Sequence, residues 1–423
     1  MTETAPYLIT RPSGLLPAGR PTAVDLFSGA GGLTLGLVDA GFDVRFSSDW
    51  DEACETTHKR NLPQVPFART SVEQLTGADI LAKTGLKVGD LDLLVGGPPC
   101  QGFSIIGQRK IWDPRNGLVR HFLRIAEELK PRCVLIENVP GLATLEQGAV
   151  LREIGRMFTE AGYGVECAEL LAAQYGVPQM RWRMFFVAWR LDQDLSGGFP
   201  EPTHGRTGIG DLVPNRTIAP ADMEGFLTIG DAISDLPPIE AGQSADAYLK
   251  APQTPYQAAM RVGSPKVLAN HYAARLAAQN LVRIRALRPG QDWRDLPNEL
   301  LPGGMQRALR KDHTRRYRRM RWDGVARSII TRFRDPKSGE YTHPEQHRTI
   351  SIREAARIQS FPDWFVFEGS YTQQYDQVGN AVPPLLGRAV ARELMTLLEG
   401  GKGKKLGPVK SRYRMPSAIL AAE

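Results

Sequence analysis

Thr22-Ala23-Val24-Asp25-Leu26-Phe27-Ser28-Gly29-Ala30-Gly31-Gly32-Leu33 is the stretch whose reading decides the fold. The apolar run Ala23 to Phe27 suits a short strand, a glycine cluster supplies a turn, and apolar residues at helical spacing continue from Leu33 to Ala40. Strand, glycine turn and helix in that order open an α/β domain. Glycines between a strand and a helix let a ligand approach the backbone amides, so the turn marks a pocket for a nucleotide-like cofactor. The dinucleotide pattern does not fit, because the third glycine of Gly-x-Gly-x-x-Gly falls on Thr34.

Working outward, a second strand (Val44-Arg45-Phe46-Ser47) ends at Asp49-Trp50-Asp51, a helix starts at Glu52, and apolar runs recur at Leu91 to Val95 and Cys133 to Ile136. That alternation predicts a Rossmann-like, doubly wound and mostly parallel sheet. After Met184 to Ala188 the texture turns irregular, with prolines and glycines from Gly197 to Pro220. Helical periodicity returns at Ser351 to Ser360 and Leu385 to Leu398. The expected organisation is therefore 1–195 as the first part of a catalytic and cofactor-binding domain, 196–335 as a smaller irregular domain, and 336–423 as a return to the first. The glycine-rich basic run from Gly400 to Arg414 reads as a solvated tail.

The chain has 423 residues, of which 42% are hydrophobic, enough for a real core in two or three domains. Its four cysteines, Cys54, Cys100, Cys133 and Cys167, form no Cys-x-x-Cys pair, so neither a disulfide framework nor a metal site is expected. There is no signal-peptide pattern at the start and no apolar run of about eighteen residues. A cytoplasmic, non-membrane protein is the expectation. The formal net charge of +7 suits a polyanionic partner.

Four segments carry chemistry. Asp49, about twenty residues past the glycine turn, can accept both hydroxyls of a ribose, and Trp50 can stack on an adenine; the bland alternative is a capping aspartate and a core tryptophan. In Gly96-Gly97-Pro98-Pro99-Cys100-Gln101-Gly102-Phe103-Ser104, Cys100 lies on a loop at a strand's carboxyl end, presented as a nucleophile, whereas Cys54, Cys133 and Cys167 sit in apolar patterns as core residues. Glu137, in Glu137-Asn138-Val139-Pro140-Gly141, ends the next strand and is the candidate general acid. In Gln179-Met180-Arg181-Trp182-Arg183, arginines at alternate positions of a strand would point to one face and could hold a carboxylate or a base carbonyl.

These segments, with Arg348-Thr349-Ile350-Ser351-Ile352-Arg353-Glu354-Ala355-Ala356-Arg357-Ile358-Gln359-Ser360-Phe361-Pro362 and Gln377-Val378-Gly379-Asn380-Ala381-Val382-Pro383-Pro384, resemble the DNA cytosine-5 methyltransferases in both content and order. Pro-Cys-Gln and Glu-Asn-Val are the most specific, and the resemblance covers most of the chain. It implies that Cys100 adds to carbon 6 of cytosine, that Glu137 holds the proton at ring nitrogen 3, that Arg183 contacts the ring oxygen with Arg181 in support, and that Asn138 orders the cysteine loop. It implies S-adenosylmethionine as cofactor, lined by Phe27, Ser28, Gly29, Gly31, Asp49, Trp50, Val72 and Pro98, with Asn380 and Val382 at the methionine end. One departure is the pair Ser71-Val72, where the family usually carries an aspartate toward the adenine amino group.

The implied substrate is double-stranded DNA with the target cytosine rotated out of the helix. A mobile loop from Ser104 to Gly117, including Arg109 and Arg115, would close over it, and Gln101 would fill the vacated space. The region from Pro200 to Val325 would recognise the target. Its arginines, among them Arg315, Arg316, Arg318 and Arg319, interleave with Tyr317 and Trp322 and suit phosphate contacts, the alternative being a solvated helix face. Gln291-Asp292-Trp293-Arg294-Asp295-Leu296-Pro297 is similar to members near the eukaryotic maintenance branch, yet a stand-alone bacterial modification enzyme is expected, acting as a monomer, with a cognate restriction endonuclease or phage-defence proteins working separately. Two rivals stand beside this reading: a tRNA cytosine methyltransferase of the same family, and a catalytically silent DNA-binding homologue.

Overall fold

A computed structural model describes residues 6–12, 19–99, 117–142, 148–205, 223–307 and 315–400. The chain divides into two compact units, one comprising Pro12–Tyr175, Trp182–Gly225 and Pro384–Glu423, the other Met1–Arg11, Gly176–Arg181 and Phe226–Pro383.

The first unit is built on a seven-stranded sheet. Its strands are β1 (Thr22–Leu26), β2 (Asp43–Asp49), β3 (Phe67–Arg69), β4 (Leu93–Gly96), β5 (Cys133–Asn138), β6 (Tyr163–Leu171) and β8 (Trp182–Arg190), β7 (Gln179–Met180) belonging to the other unit. The order is β3-β2-β1-β4-β5-β8-β6. Strands β1 to β5 pair in parallel, while β8 runs antiparallel to both β5 and β6. The order reverses beside β1, so the loops after β1 and β4 leave a crevice at the carboxyl edge, where open α/β sheets take their ligands. Helices α1 (Gly32–Ala40), α2 (Glu52–Asn61), α3 (Gly77–Thr84), α4 (Gly117–Leu129) and α5 (Ala149–Glu160) connect the strands, and β9 (His204–Gly205) pairs with β10 (Glu224–Gly225).

Local chemistry explains these elements. Leu93 to Val95 and Cys133 to Ile136 are buried throughout, as strands covered on both faces must be. Val24, Leu94, Val134, Phe122, Ile154 and Phe186 share one core. Asp51 caps α2 by accepting from the Cys54 amide at 2.8 Å, and Thr76 with Asp79 forms a capping box on α3. The last helix of this unit, α12 (Pro384–Leu398), packs on α1. A side chain at Gly36 would stand 2.6 Å from the Arg388 nitrogen and 2.9 Å from the Pro384 oxygen, so only glycine permits this approach.

In the second unit the helices are short: α6 (Ile229–Ile233), α7 (Pro255–Arg261), α8 (Ala278–Arg285), α9 (Gly303–Gln306), α10 (Ile352–Ile358) and α11 (Tyr371–Asn380), with β7 paired to β11 (Ala326–Arg327). Ile284, Leu287, Trp293, Leu296 and Tyr317 form a small core. Around α10 the arginines are buried with acceptors. Arg348 makes two 2.7 Å contacts to Glu354, and Arg357 reaches both Asp235 and Asp363. Of these pairs Arg357–Asp235 joins 336–383 to 226–335, and the two units do not follow the boundaries read from sequence at 195 and 335.

Candidate active site

The turn after β1 is stitched to the end of β2. The Ser28 amide donates to the Ser48 carbonyl at 3.0 Å, and the Gly29 amide donates to Oδ2 of Asp49 at 2.9 Å. The Asp51 amide donates to the other Asp49 oxygen at 3.1 Å. Phe27, Gly29 and Gly31 all take positive φ values of 58°, 54° and 97°, which opens the loop, and nothing stands within 4 Å of where a Gly29 side chain would begin. Asp49 therefore faces the glycine turn, while Asp51 does the capping. Trp50 is 73% exposed, which rules out the core-tryptophan alternative and leaves a free ring face beside the carboxylate.

Two buried acids lie at this edge. Burial pushes the Asp25 carboxyl up to about 7 against the opposing hydrogen bond from the Thr34 hydroxyl at 2.6 Å, and Asp49 raises it further. Burial also raises Asp49, against the amides that hold it. The open glycine turn, the Asp49 carboxyl and the exposed Trp50 ring could hold a nucleoside-bearing cofactor. Val72 is 3% exposed and belongs to the core, its carbonyl taken by Arg124 at 3.2 Å, and the Ser71 hydroxyl bonds Glu73 at 3.2 Å. Neither side chain is arranged like the usual aspartate.

The chemistry-bearing edge continues at β4 and β5. Gly96 is compelled, since a side chain there would press on the Leu26 carbonyl and the Phe122 ring, each at 2.7 Å. Gly97 lies against Glu137, whose Oε2 would be 3.1 Å from a side-chain carbon at 97. Glu137, the penultimate residue of β5, receives the Arg183 guanidinium from β8, Nε to Oε1 at 2.7 Å, with both side chains almost wholly enclosed. The antiparallel register, Glu137 opposite Phe185, places Arg183 two residues along from that partner. Asn138 donates to the Pro98 carbonyl at 3.0 Å and so fixes the chain two residues before Cys100. Glu137, Asn138, Arg183 and Gly97-Pro98 are thus brought together. Cys100, Gln101, Ser104, Arg109 and Arg115 lie outside the described residues. The other thiols are poor nucleophiles: burial pushes Cys133 up to about 12 and raises Cys54 further, with Asp49 and Asp51 adding to it, and Cys167 is buried.

Arg181 does not share a strand face with Arg183. Strand β7 ends at Met180 and β8 begins at Trp182, so alternation breaks at residue 181. Arg181 is 1% exposed and donates to the carbonyls of Ile329, Gly379 and Ala381. Asn380, between the last two, is exposed at the end of α11, and Val382 is 9% exposed. Arg319 corrects the sequence reading as well. It is 2% exposed, and its five N–H groups are taken by the carbonyls of Leu287, His343, Gln346 and Ile284 and by His347, leaving none for a phosphate. Arg318 pairs with Asp292 and Glu340, Arg315 pairs with Glu340, and Arg316 is half-buried. Sequence reasoning missed Asp25, a carboxylate in an otherwise apolar strand, and Gln179, whose neighbours in the arginine motif drew the attention.

Comparison with known proteins adds independent findings. The pattern of the family described as C-5 cytosine-specific DNA methylase matches residues 22–396. The Type II methyltransferase M.AgeI of Thalassovita gelatinovora is 33% identical, over 88% of this chain and 98% of its own. The Type II methyltransferase M.XorII of Xanthomonas oryzae is likewise 33% identical, over 90% of this chain and 85% of its own. Among solved structures, a protein described as a DNA modification methyltransferase encoded within an E. coli prophage superposes with a TM-score of 0.67 at 25% identity, covering 90% of this chain and 99% of that one. Among the described residues, no helix is long and apolar enough to cross a membrane.

Proposed function

The chain belongs to the C-5 cytosine-specific DNA methylases, as a DNA (cytosine-5-)-methyltransferase, and from that premise we propose that it methylates one cytosine within a short sequence of double-stranded DNA through a covalent cysteine adduct. Carbon 5 of cytosine is a weak nucleophile. In this reading the Cys100 thiolate adds to carbon 6, and Glu137 supplies the proton at nitrogen 3 that receives the displaced electron pair as an enamine. Arg183, held by Glu137 at 2.7 Å, would contact the ring oxygen. S-adenosylmethionine would supply the electrophilic methyl to carbon 5, its S–CH3 bond breaking and S-adenosylhomocysteine leaving. Loss of the carbon 5 proton then returns the electron pair, expels the thiolate and restores the aromatic ring.

One observation carries the proposal: the Arg183–Glu137 ion pair rests against Gly97, while Asn138 pins Pro98. Acid, cation and loop anchor therefore converge on the segment leading into Cys100. Rotation of the base out of the duplex follows from the inaccessibility of carbon 6 in a stack. Because the two bacterial relatives are Type II methyltransferases, a restriction-modification role is the proposed context.

The test is transfer of labelled methyl from S-adenosylmethionine to mixed-sequence duplex DNA and to bulk tRNA, followed by bisulfite sequencing. Marks confined to cytosines in one motif are expected; label only in tRNA, or none in either, would overturn the reading. Cys100→Ala should abolish transfer while DNA binding persists in a mobility-shift assay, and transfer at the wild-type rate would overturn the cysteine's role.

A further inference from the structure

We propose that Arg181 and Gln179 are positioning residues for the 378–382 segment, and through it for the cofactor contact of Asn380, rather than part of the base contact. This inference rests on the proposed cofactor reading. The Arg181 guanidinium bridges the two carbonyls that flank Asn380, those of Gly379 at 2.9 Å and Ala381 at 3.0 Å, and holds the Ile329 carbonyl at 2.5 Å. Gln179, in β7, holds the same Ile329 through its amide. Its Oε1 accepts from the Ile329 amide at 2.7 Å, and its Nε2 donates to Ile358 O at 3.2 Å and Gln359 Oε1 at 2.9 Å. Gln359 in turn donates to the Val378 carbonyl at 2.7 Å. The carbonyls of residues 378, 379 and 381 are thus each held by a side chain of this network.

The physical need is plain. Helix α11 ends at Asn380, and the last carbonyls of a helix have no partner within it. A forked cation satisfies two acceptors at once and suits the negative end of the helix dipole. Gly379 presses directly on the backbone of Ile330 and Thr331, so the segment seats in only one way. The outcome is an exposed Asn380 on a backbone held on both sides, while Arg181, at 1% exposure, has no surface to offer a base.

The measurement is calorimetric binding of S-adenosylmethionine to the full chain without DNA, for wild type, Arg181→Lys, Asn380→Ala, their double variant and, as a control, Arg156→Lys on the exposed face of α5. Lysine keeps the charge and loses the fork. Arg181→Lys and Asn380→Ala should each weaken binding at least tenfold, the double variant should be no weaker than the worse single, and Arg156→Lys should bind as wild type does. Unchanged affinity in Arg181→Lys, or fully additive losses in the double variant, would overturn the inference. Should Arg181→Lys fail to fold by circular dichroism, Gln359→Met, which frees the Val378 carbonyl, carries the test with the same expected direction, and unchanged binding there overturns it. A wild-type chain that binds no S-adenosylmethionine overturns the cofactor reading and this inference together, whereas normal wild-type binding with indifferent variants overturns the inference alone.

Discussion

Asp25 and Thr34 meet 2.6 Å apart in a place where water does not reach, and the consequence is a pH dependence with a definite sign. The folded carboxyl titrates near 7 against an ordinary value near 3.8, so the native state holds this proton more tightly than the unfolded chain. Its stabilising contribution is complete below about pH 4 and is lost as the pH rises through about 7. Asp25→Asn removes that loss. Thermal unfolding from pH 5 to pH 8 should show the variant gaining on wild type across this interval, and a constant difference would refute the argument. Legibility at this scale depended on where a residue's partners come from. Glu137 and Asp49 were readable because each lies at the carboxyl end of a strand, where the fold exposes chemistry. Arg319 was not, because its acceptors come from 24 to 35 residues away and sequence spacing gives no hint of them.

Among elements, period and punctuation were enough for β1, α1, β4 and β5, whose bounds follow the apolar runs closely. They failed where a strand broke: Gln179 to Arg183 reads as one alternating strand, yet β7 and β8 are separate, and the two arginines serve different partners. The periodicity of α10 announced a helix and could not say which unit it joins, since that depends on distant partners such as Asp235, which meets Arg357. The packing of α1 on α12 makes its own prediction. Gly36→Ala forces a carbon into backbone of the facing helix and should cost about 1–3 kcal/mol by urea unfolding, as overpacked cores do. An unchanged unfolding midpoint would show that the two helices slide apart freely.

For the molecule as a whole, the net charge of +7 favours a polyanion, but an arginine count overstates what is free to meet one. Arg316 makes no ion pair among the described residues, so Arg316→Ala should weaken DNA binding and reduce the slope of log affinity against log salt by about one. Arg319→Met should leave that slope alone and lower the melting temperature instead, because it orphans four buried carbonyls. A salt slope reduced in Arg319→Met would mean that this guanidinium leaves its buried site on DNA.

The contact between Gly36 and the start of α12 joins stretches of chain about 350 residues apart, as the neighbouring Arg388–Asp39 pair, 349 residues apart, also does. Ribosomal synthesis runs in one direction, so the glycine turn emerges early while the helix that backs α1 emerges near the close of translation. The nascent chain therefore carries an uncovered apolar helix face through most of its synthesis, and a transcript cut short before residue 384 yields a protein whose first helix has lost its seat.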